Sequence, residues 1–129
     1  MAFGPNAVSR PERYQDLHLE VDFETASAWL DSHAIVLTRK EYALLSLLVQ
    51  NAGEIVPREA LLLRIWGYNA QIRTRTLDVH IRRLRKKLGK YSYQYIETIF
   101  ASGYRFQPFH APRFFQPSVN VNPIMALGA

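Results

Sequence analysis

The chain contains no cysteine, which excludes a disulfide framework and a thiolate metal site. Its four histidines, His18, His33, His80 and His110, are scattered, and no two stand at metal-ligand spacing. There is no Gly-x-Ser-x-Gly elbow, no phosphate-cradling glycine loop and no His-Glu-x-x-His helix. Without an acid–base or nucleophile constellation, neither an enzyme nor a cofactor is expected. Long apolar runs are also missing. The longest, Ala43 to Val49, is interrupted by Ser46 and is too short to span a bilayer. The N-terminus lacks the basic start and apolar stretch of a signal peptide, so the cytoplasm is the expected compartment. Acidic residues are scarce in the second half. Residues 1–60 hold five basic and nine acidic side chains, whereas residues 61–129 hold eleven and two. Such an asymmetry builds a local positive field that attracts phosphates.

What is present suits one folded domain with ends. Of 129 residues, 48% are hydrophobic and 21% charged, ordinary for a globular chain. Residues 1–11 resemble a loose leader or linker, 12–107 a folded domain, and 108–129 an irregular tail with four prolines. From Tyr14 the pattern alternates, with Leu17, Leu19, Val21 and Phe23 on one side, which predicts a half-buried strand. Shorter strands are expected near Ala26–Leu30 and Ala34–Leu37. Thr38-Arg39-Lys40-Glu41 is a capping box that opens a first helix, buried on two sides by its leucines and ended at Asn51-Ala52-Gly53. A second helix is expected from Arg58 to about Trp66, with Pro57 at its start and Gly67 at its end. After Gly89, the runs from Tyr91 to Ile99 and from Tyr104 to Phe106 read as a β-rich hairpin.

Between them, RTRTLDVHIRRLRKKLGK (73–90) carries eight Lys or Arg and one acid. At about 100° per residue, Leu77, Ile81, Leu84 and Leu88 form a narrow apolar stripe. Arg75, Val79, Arg82, Lys86 and, at the flank, Arg83 lie opposite, with Arg85 and Lys87 on the shoulders. Cationic side chains can simply snorkel over apolar neighbours. Here, however, the acids for pairing along the helix are absent apart from Asp78, and Val79 sits inside the charged face, where it could meet a thymine methyl. The stripe is too narrow to insert into an anionic membrane, and no membrane partner is expected. Three readings remain open: a sequence-specific DNA binder, a nonspecific architectural one, and a module whose basic helix docks an acidic protein.

The order LTRKEYALLSLL, NAGEIVPREALLLRIWG, RTRTLDVHIRRLRKKLG and IETIFASGYRF resembles the C-terminal effector domain of OmpR/PhoB-type response regulators, from about Tyr14 to Phe106. The resemblance implies an α+β winged helix-turn-helix: an N-terminal antiparallel four-stranded sheet, three helices and a C-terminal β-hairpin wing. It implies a bacterial two-component transcriptional regulator with a recognition helix (about 74–88) in the major groove and a wing at the minor groove. Arg75, Arg82 and Arg85 would sit mainly on phosphates, assisted by Trp66, Thr98 and Tyr104. Asp78, Val79 and Arg83 would reach base edges, since Arg grips guanine with two bonds and Asp accepts from cytosine. Lys86 completes the basic face, and His80 is structural or a single phosphate donor. The implied partners are double-stranded DNA with tandem half-sites and RNA polymerase through loop 67–73; the domain would be a monomer alone and a dimer on DNA. The chain departs from the family pattern where Arg-Gly is common in the wing and Phe100-Ala101 stands here. Phe100 is expected to pack back on the domain.

Overall fold

Thr38 starts the first helix, α1 (Arg39–Gln50), in the computed structural model, which describes residues 12–110. The Thr38 hydroxyl accepts from the Glu41 amide, and the Glu41 carboxylate accepts from the Thr38 amide at 3.0 Å, closing the expected box. Leu44, Leu45 and Leu48 are fully buried. The second helix, α2 (Arg58–Trp66), ends at Gly67 with φ +76, the left-handed cap that glycine adopts without a Cβ penalty. Pro57 offers no capping side chain. Instead the Arg58 amide, one of the unpaired donors of a helix start, donates to Ser102 O at 3.1 Å. The third helix, α3 (Thr76–Leu88), buries Leu77, Ile81, Leu84 and Leu88 against the first two. Each such leucine or isoleucine stabilises the fold by about 1.5–3 kcal/mol relative to exposure.

The N-terminal sheet runs β1 (Arg13–Gln15), β2 (Leu19–Asp22), β3 (Ser27–Leu30), β4 (His33–Ile35) in sequence order, all antiparallel. Leu19, Val21 and Ala28 face the core. Leu17 does not, contrary to the alternation: the Asp16 carboxylate accepts from the amides of His18 and Leu19, both at 2.9 Å, and turns the chain there. The single expected strand is therefore two. Asp31 and Ser32, both at positive φ, make the tight turn between β3 and β4.

A second sheet has the order β5-β7-β6, from β5 (Ile55–Pro57), β6 (Ile96–Ile99) and β7 (Gly103–Phe106). Thus the hairpin gains a third, unexpected strand. Pro57 is tolerated there because β5 is an edge. The segment from Gly89 to Tyr95 is not β-structure. A 3₁₀ turn (Gly89–Tyr91) leads into a short helix, α4 (Ser92–Tyr95), which buries Ser92 and Tyr95 and leaves Tyr93 exposed. A period of two would have buried Tyr91, Tyr93 and Tyr95 alike; spacing by three won.

One further expectation changes. Phe100, in the turn between β6 and β7, is 92% exposed and packs on nothing among the described residues. The strands end at Ile99 and Gly103, so the tip projects beyond the core that could receive the ring. Past residue 107 the chain still packs. The Phe109 amide donates to Asp16 at 3.0 Å, and its ring meets His18 edge-on at 4.6 Å. The leader 1–11 and the tail from 111 onward lie outside the described residues. Among the described residues no helix is long and apolar enough to cross a membrane.

Candidate nucleic-acid interface

With its apolar stripe buried, α3 presents the opposite side to solvent. Arg75, Arg82, Arg83 and Lys86 are exposed, and Val79 and His80 are half-buried beside them. Arg82, Arg83 and Lys86 have no ion-pair partner among the described residues, and Arg75 has only a 3.5 Å contact with Asp78. This ridge is a set of cations held at helical spacing on a backbone that the core immobilises. Thr74 supports its start by accepting the Thr76 amide at 3.1 Å.

Several residues expected to meet DNA have partners within the fold. Arg85 donates through Nη2 to Ile96 O at 2.6 Å and to the Thr98 hydroxyl at 2.8 Å. It is a brace between α3 and the hairpin, and Thr98 is its acceptor. Asp78 accepts from Arg58 at 2.7 Å and lies 3.4 Å from the Tyr104 hydroxyl. Burial opposes ionisation of Asp78, but the Arg58 guanidinium outweighs it and holds the carboxyl below its ordinary value. This pair ties α2 to α3 at the face. Tyr104 is buried, and burial first, then Asp78, raises its phenol. Trp66 is half-buried against the core, edge-on to His80 at 4.9 Å, and His80 Nδ1 bonds Thr76 O at 2.9 Å. Lys87 has turned inward, pairing with the buried Glu41 at 2.6 Å.

Sequence reasoning missed two residues at this face. Arg58 lies on another helix, and nothing local announces its pairing with Asp78 across 20 positions. Tyr93 was hidden by its apparent place in a strand; its ring lies 4.5 Å from the Arg85 guanidinium. Among the described residues no group of acids and histidines could hold a metal ion. What the arrangement can do is neutralise and grip a polyanion.

Comparisons with known proteins agree with this geometry. Residues 32–106 match the family described as "Transcriptional regulatory protein, C terminal". The chain is 45% identical over 89 residues to the transcriptional regulatory protein HprR of Escherichia coli, covering 68% of this chain and 40% of that protein. It is 37% identical over 93 residues to SrrA of Staphylococcus aureus, covering 70% and 39%. The chain thus spans about two fifths of the length of these curated relatives. Among solved structures it resembles the Klebsiella pneumoniae RstA DNA-binding domain in complex with RstA box, with a TM-score of 0.70 and 30% identity over 77% of this chain and 100% of that one. It also resembles DrrB, a Thermotoga maritima OmpR/PhoB homolog, at a TM-score of 0.68 and 33% identity over 74% and 44%.

Proposed function

From the premise that the chain belongs to the family of transcriptional regulatory protein C-terminal domains, we propose that it binds double-stranded DNA sequence-specifically as the effector part of a response regulator. One observation carries the reading: α3 buries one side completely and exposes, on the other, a ridge of arginine and lysine whose one acidic contact among the described residues is that of Arg75 with Asp78 at 3.5 Å. A solvated helix would gain from interspersed acids; a phosphate-facing helix would lose by them. Arg75, Arg82 and Lys86 take phosphates, and Arg83 and Val79 meet base edges; His80, whose Nδ1–H is given to Thr76 O, has a structural role. A DNA ligand makes the cytoplasm the working compartment.

The finer roles follow from the same placement. The folded unit runs from about residue 12 into the region of 107–109. Alone it is a monomer, and two copies occupy tandem half-sites about one helical turn apart. Loop 67–73 exposes Ile72 and Arg73 away from the buried stripe, which supports a contact with RNA polymerase.

Titration of a selected duplex and a scrambled one at several salt concentrations tests the reading. With four to six phosphates engaged, log K falls against log[salt] with a slope of about −4 to −5. Arg83→Ala relaxes the preference at one base position and costs about 1–3 kcal/mol on the selected site. Arg82→Ala weakens all sequences alike and lowers the slope by about one. Equal affinity for both duplexes would make the chain an architectural binder, and a flat salt response would remove DNA from the reading altogether.

A further inference from the structure

The flank of α3 that faces the hairpin opens into a cleft of about 660 Å³, walled by Arg75, Arg82 and Lys86 on one side and by Tyr93 of α4 on the other. Tyr93 is an odd residue to find there. It is 75% exposed, and its hydroxyl has no hydrogen bond among the described residues. Its neighbours Ser92 and Tyr95 are buried, so the short helix that carries it is anchored. Its ring lies against the Arg85 guanidinium at 4.5 Å, and Arg85 is itself fixed by Ile96 O and the Thr98 hydroxyl. Tyr93 is therefore an exposed aromatic side chain whose ring rests on a guanidinium that two hydrogen bonds orient. The hydroxyl is the free end of that assembly.

The surroundings suit an anion. Arg82 and Lys86 bring positive charge with no acidic partner among the described residues. The one carboxylate of the cleft, Asp78, is neutralised by Arg58 at 2.7 Å. The cleft adjoins the ridge of α3, so a nucleic-acid strand bordering the groove that α3 enters passes over it. Resting on the DNA-binding reading above, we infer that this cleft is a site for the sugar–phosphate backbone, in which the Tyr93 hydroxyl donates to a phosphate oxygen between Arg82 and Lys86. A donor to a charged oxygen forms a stronger bond than a neutral pair. The contact of the ring with Arg85 favours the placement that binding needs and so lowers the rotamer cost.

Backbone contacts carry no base information, so a mixed-sequence duplex is a sufficient probe. Tyr93→Phe keeps the ring beneath Arg85 and removes only the donor. It is expected to weaken binding roughly tenfold, the scale of one hydrogen bond to a charged group. Tyr93→Ala loses at least as much. Neither changes the salt slope, because no charge is removed, whereas Arg82→Ala in the same series lowers it by about one. Thermal melts of both variants stay near that of the unaltered protein, since the side chain is mostly in solvent. If the unaltered protein and Arg82→Ala behave as stated while Tyr93→Phe binds like the unaltered protein, this inference is overturned and the DNA reading stands. If the unaltered protein does not bind the duplex at all, the DNA reading fails first.

Discussion

Phe100 carries its ring into solvent at the end of the hairpin, where Ala101 holds a positive φ of 60°. Exposure of a phenyl ring stabilises nothing, and no neighbour in the fold gains from it. Truncation therefore falls among surface substitutions: Phe100→Ala shifts stability by no more than about 0.5 kcal/mol, read as an unchanged thermal midpoint. On the proposed reading, with the hairpin at the minor groove, Phe100→Arg adds a cation there and steepens the salt slope of DNA binding by about one. A large loss of stability in Phe100→Ala would mean that the ring packs after all. At this scale the site was half legible. The charge pattern of 73–90 sorts Arg75, Arg82, Arg83 and Lys86 onto one side correctly, because helical angle is a local property. The same pattern is silent on Arg85, Asp78 and Lys87, whose partners Ile96, Thr98, Arg58 and Glu41 come from other elements. A side chain on the shoulder of a helix can turn outward to a ligand or inward to a neighbour, and only tertiary packing decides.

Elements whose ends are written in local chemistry were the readable ones. The capping box at Thr38 and the glycine at 67 delimit α1 and α2 from within a few residues. Strands of three or four residues leave too little periodicity, so β5 was invisible and the β1–β2 break at Asp16 was passed over. What fixes β5 is a close approach seen only in three dimensions. It lies against β7 with Pro57 opposite Gly103, and a Cβ on Gly103 would sit 2.1 Å from Val56 O. The obstacle is backbone, which cannot rotate aside. Gly103→Ala therefore pushes β5 off β7 and loosens the Arg58 amide from Ser102, costing about 1–3 kcal/mol in a denaturant midpoint. Recovery of the unaltered midpoint in this variant would show that the sheet shifts freely, which the paired edge does not suggest.

Across the whole molecule, ionisable groups join the parts, and their titration sets the pH range of the fold. Glu41 links the start of α1 to Lys87 near the end of α3; burial opposes its charge, but Lys87 and the Thr38 amide hold its carboxyl below the ordinary 4.5. Asp78 links α3 to α2 through Arg58, likewise below its ordinary 3.8. A depressed carboxyl contributes stability that is fully present above its unfolded value and is lost as the pH falls through the folded one. On the alkaline side, Asp16 accepts from Tyr14 and Tyr95 and from the Phe109 amide, so it gathers the first strand, α4 and the chain beyond β7. Burial first, then the bond to Asp16, raises both phenols far above the ordinary 10.0. A raised phenol contributes stability that is complete below its unfolded value and is lost as the pH rises beyond it. Thermal midpoints measured at low salt should thus stay level through neutrality, fall below about pH 4.5, and fall again above about pH 10. Tyr95→Phe separates the two limbs. It removes one phenol from the alkaline limb and leaves in place the acid limb, to which Glu41 and Asp78 contribute. An alkaline limb unchanged in that variant would show that Asp16 and its tyrosines do not govern the upper limit.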